Sequence, residues 1–364
     1  MKEQKTINNQ NNMTFLTSLR GVAAFLVLLF HLKAQMNDYS TLRAFSFLYN
    51  KGYLAVDFFF ILSGFIISFS YYKALSTNLS FKNIINFIVK RLARIFPLHF
   101  FVMCLFLIFP ITLFISGRPV NIDYYNPESF FYKVMLLDLW LVNTEHWNSW
   151  NVPSWTISGE WFAYLLFPFF IFFFPKNKVA ALVLFPFLVV MLGFWYEYFG
   201  FSTIGEGIGT LGLMRCLGGF LIGSCVYFFL LNLDKKVKKT TGAISLTLSI
   251  CITLLLGIYF EKNHFFIPIC FSWILLSFLI SDTWLHKVLN KKWLVYLGDI
   301  SYSLYLVHMF VITIYATLFW ENDLKASILD LLIILIACFV ISHFTFKYIE
   351  NPCRVFITKK LLRN

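Results

Sequence analysis

An imidazole stands near the end of the first long apolar segment of the chain, at His31. Polar groups are costly in hydrocarbon unless they are paired, so an ionisable residue within a membrane-spanning helix marks a candidate functional site. A neutral imidazole can accept a proton from a hydroxyl nucleophile during group transfer. Arg20 opens the same segment, and on a helix it would lie roughly 16 Å from His31 along the axis. The segment therefore predicts one helix that carries two polar side chains, Arg20 and His31, at different depths in the membrane.

Two carboxylates are expected at the depth of His31. Asp57 lies near the start of the second apolar segment, and Glu160 lies just inside the fourth. Successive spans cross a membrane in opposite directions. The second and fourth spans should therefore begin on the side of the membrane where the first span ends. A carboxylate next to an imidazole fixes its tautomer and stabilises the imidazolium, so we predict catalytic roles for His31, Asp57 and Glu160. The alternative is that His31 and Asp57 pair only to hold two helices together.

Three arginines are expected at the opposite depth. Arg20 opens the first apolar segment, and Arg91 and Arg94 open the third, where their spacing puts them on one helix face. Arginine binds phosphate groups in a bidentate geometry, so these residues suit an anionic cytosolic ligand. The alternative is that they only anchor helix ends and contact lipid headgroups.

A polar run opens the ninth apolar segment at the same depth as the arginines. We predict that its first two residues, Ser301 and Tyr302, join the anion-binding group, whereas Tyr305 and His308 follow deeper in the helix. A helix-packing network is the alternative for this run. Glu350, just after the tenth segment, is interpreted as part of a structural cap.

Tryptophan is concentrated around the start of the fourth apolar segment, where Trp150 and Trp155 flank Ser154. One interpretation is an aromatic belt at the membrane interface, which tryptophan favours. The other is a stacking platform for a sugar ring. On the second interpretation, Trp150, Ser154 and Trp155 would bind the acceptor.

The composition indicates an all-α integral membrane protein. The chain of 364 residues is 59% hydrophobic and only 13% charged, whereas soluble domains carry roughly 25% charged residues. A span needs about 20 mostly apolar residues. We predict a bundle of about ten transmembrane helices, near residues 15–33, 53–72, 95–116, 156–174, 179–198, 212–231, 242–260, 265–281, 297–319 and 326–346. The apolar stretch near 130–142 is too short to span, so we predict an interfacial or re-entrant helix there.

The distribution of the 30 Lys and Arg residues sets the orientation. Most of them fall on one side of the predicted bundle if the N-terminus is cytoplasmic, as the positive-inside rule requires. We therefore predict a polar cytoplasmic segment at 1–14, a transmembrane domain at 15–355 with an outer loop at about 117–155, and a basic cytoplasmic tail at 356–364. The same distribution explains the net charge of +12 without a nucleic-acid partner.

The seven cysteines show no metal-binding spacing. They form no CxxC pair and most lie in apolar runs, so small buried hydrophobic side chains are the simpler interpretation. We therefore predict no metal site.

Six motifs occur in a fixed order along the chain and together resemble the membrane acyltransferase 3 family. This family comprises bacterial inner-membrane O-acyltransferases that modify polysaccharides and lipids. The resemblance covers about residues 15 to 355. The motifs lie at Leu19–Gly21 followed by His31, and at Val56–Phe65, Arg91–Pro97, Pro153–Glu160, Ile300–His308 and Ile349–Pro352.

The resemblance implies an acyl-CoA donor, usually acetyl-CoA, that is reached from the cytoplasm. Arg20, Arg91 and Arg94 would hold its phosphates, and the pantetheine arm would extend toward His31. The expected product is an O-acetylated cell-surface glycan such as O-antigen, capsule or exopolysaccharide, made at the bacterial inner membrane. Some members carry a C-terminal SGNH-type domain. Because this sequence stops shortly after the tenth span, we expect that acyl transfer to such a domain either needs another protein or does not occur.

Two other classes of protein remain open from the sequence. A transporter or flippase of lipid-linked sugars would also need many spans, but such proteins often have related halves, and no internal repeat is visible. A non-catalytic membrane scaffold gives no reason for a histidine and carboxylates at one depth. Both alternatives therefore explain less of the sequence than an O-acyltransferase does.

Overall fold

The computed structural model describes residues 13–33, 49–141, 146–173, 178–233, 239–259, 266–319 and 327–361, and their regular structure is helical throughout. The helices in chain order are α1 (Thr14–Lys33), α2 (Ala55–Thr77), α3 (Phe81–Phe106), α4 (Ile108–Ile115), α5 (Pro127–Val134), α6 (Trp155–Phe173), α7 (Lys178–Tyr198), α8 (Ile208–Leu231), α9 (Lys239–Tyr259), α10 (Ile267–Ile280), α11 (Trp284–Leu289), α12 (Lys292–Asp299), α13 (Ser301–Phe319), α14 (Ile328–Thr345) and α15 (Asn351–Leu361). A π-helical turn at Phe346–Glu350 joins the last two.

The predicted membrane class is confirmed. Within the described residues, seven helices are long and apolar enough to cross a membrane, and they match seven of the predicted spans. Three shorter apolar helices, at Leu184–Tyr198, Gly242–Thr253 and Ile267–Ile280, coincide with the other three. The count of ten and the cytoplasmic position of both termini stay predictions.

Glycines let two pairs of helices approach backbone to backbone. A Cβ atom added at Gly64 of α2 would lie 1.8 Å from the carbonyl oxygen of Phe220 in α8, and one added at Gly223 of α8 would lie 1.8 Å from that of Ile61. Such close packing through small residues is typical of helices in membranes. The α2–α8 contact is the most extensive between any two helices that the structure describes.

A second close approach fixes the start of α1. A Cβ atom added at Gly298 of α12 would lie 1.9 Å from the carbonyl oxygen of Thr17, and one added at Gly21 would lie 2.6 Å from the amide nitrogen of Gly298. Arg20 is adjacent to Gly21 in this contact. The contact therefore holds Arg20 against the start of α13.

The apolar stretch near 130–142 does not form a spanning helix, as predicted, and its interfacial or re-entrant position stays a prediction. The region contains α5 and turns that fold onto α3, and Lys133 is fully buried. The ammonium group of Lys133 donates to Asp138 Oδ2 at 3.1 Å, to the Trp147 carbonyl oxygen at 3.1 Å and to Ser154 Oγ at 3.2 Å. Burial lowers the pKa of Lys133, while Asp138 opposes this shift. This buried cluster attaches the segment to the bundle.

Candidate active site

The described part of the bundle contains two connected cavities that share three arginines. The narrow cavity, of about 100 Å³, lies among α1, α2, α3, α6 and α13. The wide mouth, of about 590 Å³, is lined by residues of α1, α2, α3, α12, the π-helical turn and α15. Arg20, Arg91 and Arg94 line both and therefore form a neck between them. The three predicted anion-binding residues are thus brought together.

The neck arginines differ in how their charges are balanced. Arg20 makes no hydrogen bond or ion pair with any residue that the structure describes. Arg91 donates to the Tyr71 hydroxyl at 2.8 Å and lies over the Tyr71 ring at 4.9 Å, with its Nε atom buried and unpaired. Arg94 forms an ion pair with Glu350. Two of the three guanidinium groups, those of Arg20 and Arg91, therefore form no ion pair among the described residues and are available to an anion.

Glu350 has a different role from the structural cap that we predicted. Its carboxylate is buried, with 1% of the residue exposed, and besides pairing with Arg94 it accepts a hydrogen bond of 2.7 Å from Ser303. The π-helical turn places it there, in keeping with the frequent occurrence of such turns at functional sites. Glu350 thus sets the position and charge of one neck arginine.

Ser301 and Tyr302 both line the narrow cavity, as predicted for ligand-binding residues. Ser301 Oγ is buried and has no hydrogen-bond partner within the described residues. The Tyr302 hydroxyl donates to the Ile95 carbonyl oxygen at 2.5 Å, and the Tyr302 ring lies 5.6 Å from the Arg94 guanidinium. Ser301 is therefore free to bind a ligand, whereas Tyr302 contributes an aromatic wall.

Glu160 lies in the wall of the narrow cavity rather than beside His31. Its carboxylate accepts hydrogen bonds from Ser63 Oγ, at 2.5 Å, and from the Tyr164 hydroxyl. All three residues line the cavity together with Arg20. The sequence placed Glu160 within the bundle but gave it the wrong partner.

His31 is paired with a second histidine, His308 of α13. His31 Nδ1 lies 2.9 Å from the Val27 carbonyl oxygen and 3.2 Å from His308 Nε2. His308 Nδ1 lies 3.3 Å from the Leu304 carbonyl oxygen. Since a carbonyl oxygen can only accept a hydrogen bond, each Nδ1 carries the proton, and His31 donates to His308.

The tautomers leave one nitrogen available as a base. His31 Nε2 is unprotonated, and none of the described residues forms a hydrogen bond with it. His308 is almost fully buried, whereas His31 is partly exposed. The orienting role that the sequence assigned to a carboxylate thus falls to His308 and the Val27 carbonyl group.

Tyr305 separates the histidine pair from the narrow cavity. Its ring lines the cavity and lies 5.9 Å from the His308 ring and 6.0 Å from the Phe59 ring. Its hydroxyl donates to the Pro153 carbonyl oxygen at 3.1 Å. The cavity therefore ends one side chain away from the histidine pair.

The predicted contact between Asp57 and His31 was wrong. Asp57 accepts two hydrogen bonds from Arg215 of α8, from Nε at 2.8 Å and from Nη2 at 2.7 Å. Both residues are buried, and the guanidinium lies 5.6 Å from the Trp155 ring centre. A bidentate pair of this kind satisfies both charges. Asp57 therefore joins α2 to α8 and is not placed to orient His31.

The predicted acceptor-binding residues are packed inside the protein. Trp150, Ser154 and Trp155 are 3%, 0% and 5% exposed. The Trp150 indole nitrogen donates to the Asn126 carbonyl oxygen at 2.9 Å. Burial of both rings corrects the stacking-platform interpretation, because neither ring face is open to a sugar.

Four residues that shape these sites have no role assigned from the sequence, although each has a signal there. Arg215 is a single cation within an apolar segment, which itself indicates a buried partner. Tyr164 follows Glu160 by one helical turn, and Ser63 lies in the motif of Asp57. His308 belongs to the polar run of the ninth segment, for which helix packing was the alternative.

Comparison with known proteins identifies the family. A family model described as an acyltransferase domain matches residues 13–346. The chain belongs to the acyltransferase 3 family. Residues 13–346 thus form the acyltransferase domain, and the resemblance seen in the motifs is confirmed.

Three relatives show how far the similarity extends. O-acetyltransferase OatA of Staphylococcus aureus (strain NCTC 8325 / PS 47) is 23% identical over 384 residues, which cover 97% of this chain and 59% of OatA. Putative O-acetyltransferase SAS0844 of Staphylococcus aureus (strain MSSA476) is 23% identical, with 94% of this chain and 57% of the relative covered. Acyltransferase MdmB of Streptomyces mycarofaciens is 30% identical over 155 residues, 42% of this chain and 38% of MdmB. The chain thus spans about three fifths of the length of the OatA-type relatives. No solved structure matches it.

Proposed function

We propose that this membrane acyltransferase is an O-acetyltransferase that moves an acetyl group from acetyl-CoA to a hydroxyl group of a cell-surface glycan such as O-antigen, capsule or exopolysaccharide. In this proposal the chain crosses the bacterial inner membrane about ten times, with both termini and the neck arginines on the cytoplasmic side. The names of the OatA-type relatives support O-acetyl transfer.

The observation that carries the proposal is the line of polar groups from the neck to the histidine pair. Arg20, Arg91 and Arg94 are suited to the diphosphate of CoA, and the narrow cavity beyond them is suited to the thin pantetheine arm. Tyr305 lies where the acyl end would arrive. Acyl transfer at His31 then requires the Tyr305 ring to move aside.

The proposed reaction uses the free nitrogen of His31. The acceptor oxygen attacks the thioester carbonyl carbon while His31 Nε2 takes the hydroxyl proton. The C–O bond forms, the C–S bond breaks, and the CoA thiolate leaves and takes the proton from the imidazolium. Val27 and His308 stabilise the imidazolium by accepting the hydrogen bond from Nδ1.

A second route uses the same atom. His31 Nε2 attacks the thioester carbonyl carbon, the C–S bond breaks, and CoA leaves as the thiolate, which gives an Nε2-acyl imidazolium that keeps its proton on Nδ1. The acceptor oxygen then attacks the acyl carbon, the C–N bond breaks, and the hydroxyl proton passes to the CoA thiolate, which restores neutral His31. Both routes need an unprotonated Nε2 and a fixed ring. The geometry of the histidine pair serves them equally.

The test is the O-acetyl content of surface glycans, measured by mass spectrometry in cells that carry wild-type protein or His31→Ala. We expect acetyl groups to be lost at an unchanged amount of glycan, with the protein still in the membrane. Normal acetylation in the variant would overturn the mechanism. Loss of the glycan itself would instead favour transport of lipid-linked sugars.

A further inference from the structure

Helix α15 lies beyond the residues that match the family and forms one side of the wide mouth. The family match ends at residue 346, whereas α15 runs from Asn351 to Leu361 and packs against α3. Arg354, Thr358 and Lys359 line the mouth from this helix. The mouth is therefore completed by a segment that lies beyond the match to the family model.

The cations of α15 that face the mouth form no ion pair with a carboxylate among the described residues. Arg354 donates to Asn351 Oδ1 of its own helix at 2.8 Å, and Lys359 makes no hydrogen bond or ion pair with the described residues. Lys90 lines the mouth from α3, and Asp299 is the only carboxylate in the described lining. The mouth thus carries a strong excess of positive charge.

The order of the cavities matches the order of groups in CoA. From the acyl end, a CoA thioester carries pantetheine, then a diphosphate, and then an adenosine with a 3′-phosphate. The narrow cavity, the neck arginines and the wide mouth follow in the same order. A ligand seated in this direction leaves its nucleotide end beside α15.

We propose that α15 forms the nucleotide half of the donor site, with Arg354 and Lys359 binding the 3′-phosphate of the CoA adenosine. This proposal rests on the proposed function. It also gives the enzyme a way to select CoA thioesters over thioesters of phosphopantetheine. A phosphopantetheine thioester has no 3′-phosphate and would leave these two cations without a partner. A phospholipid headgroup offers the same phosphate chemistry, so the test must separate the two sources.

The test compares the affinities of purified full-length protein in nanodiscs for CoA and for 3′-dephospho-CoA. These ligands differ only in the 3′-phosphate, so the ratio of their dissociation constants reports contacts to that group. A charge-assisted hydrogen bond predicts that wild-type protein binds CoA about tenfold more tightly. In Arg354→Ala/Lys359→Ala the ratio should fall toward one.

Lys360 provides a matched control. It neighbours Lys359 on the same helix, but it lies over the Phe356 ring at 5.5 Å and does not line the mouth. Lys360→Ala removes the same charge and should keep the wild-type ratio. Equal loss of the ratio in Lys359→Ala and Lys360→Ala would overturn the proposal, since it would indicate a general charge effect.

Further outcomes separate this proposal from the donor assignment. An unchanged ratio in the double variant, with affinity still lost in Arg20→Ala, overturns only the role of α15. Failure of wild-type protein to bind either ligand overturns the donor assignment and this proposal together. A lipid control separates the two phosphate sources by comparing nanodiscs of phosphatidylglycerol with nanodiscs of phosphatidylcholine. The proposal fails if two results occur together: phosphatidylglycerol weakens CoA binding to wild-type protein but not to the double variant, and both proteins bind CoA and 3′-dephospho-CoA equally. The cations would then bind lipid headgroups.

Discussion

Arg20 and Arg215 both lie in apolar helices, but their charges are balanced in opposite ways. Arg215 is buried against Asp57 in a bidentate pair and lies over Trp155. Arg20 faces the two cavities without a hydrogen bond or ion pair to the described residues. A charge within a membrane protein needs a partner. Arg215 therefore has its partner within the fold, whereas Arg20 is left to pair with a ligand.

The largest effect is expected where the balanced pair is broken. Asp57→Ala leaves the Arg215 guanidinium buried without a counter-charge, which should lower the free energy of unfolding by about 3–5 kcal/mol. Thermal unfolding in detergent and the yield of folded protein measure this effect. The double variant Asp57→Leu/Arg215→Leu removes both charges and should recover most of the stability. An Asp57→Ala protein of wild-type stability that has lost only glycan acetylation would return Asp57 to a catalytic role.

The unbalanced arginine should show the reverse pattern. Arg20→Ala removes a contact to the donor but no contact within the fold, so it should weaken acetyl-CoA binding about 10- to 100-fold. Its midpoint of thermal unfolding without ligand should stay close to that of wild-type protein. Titration calorimetry and thermal unfolding of the same preparation measure both properties. A large loss of stability with unchanged affinity would place Arg20 with Arg215 as a structural residue.

A smaller effect is expected at the other end of α1, where His308 orients His31. His308→Phe keeps an aromatic ring but removes the acceptor for His31 Nδ1–H, so the rate of acetyl transfer should fall about tenfold through loss of one hydrogen bond. Val27 still accepts from the same proton, which limits the loss. Donor affinity should not change, because His308 lies outside the narrow cavity lining. His308→Gln, which can still accept, should retain more activity than His308→Phe; equal activity in the two variants would refute this role.

The sequence located the helices better than it located the partners of their polar groups. Apolar length located the helices, and the 1.5 Å rise correctly separated Arg20 from His31 along α1, at roughly 16 Å. The partner of Asp57 depends on how α2 is rotated about its axis and on which helix lies beside it. The Gly64 and Gly223 contacts determine the rotation and the neighbour by bringing α8 against α2. The order of spans along the sequence does not show which helices are in contact.

Unknown tertiary contacts also explain why the sequence predicted the wrong environment for Trp150 and Trp155, at the start of the fourth span. Tryptophan near a predicted membrane boundary is compatible with an exposed belt or with a folded segment. The buried Lys133 cluster decides between them, and its three contacts come from residues 138, 147 and 154. Local composition predicts the presence of such residues but not the turns that bring them together.

The most direct test of the central claim is the affinity of purified His31→Ala protein for acetyl-CoA. We propose that the neck arginines bind the donor and that the histidine pair, farther along α1, carries out the chemistry. His31→Ala protein should therefore bind acetyl-CoA within about twofold of wild-type protein, because a substitution that removes no ligand contact changes a free energy by about 0.5 kcal/mol or less. Cells that carry this variant should nevertheless have lost glycan acetylation. Loss of acetyl-CoA binding in His31→Ala, with binding retained in Arg20→Ala, would contradict the account.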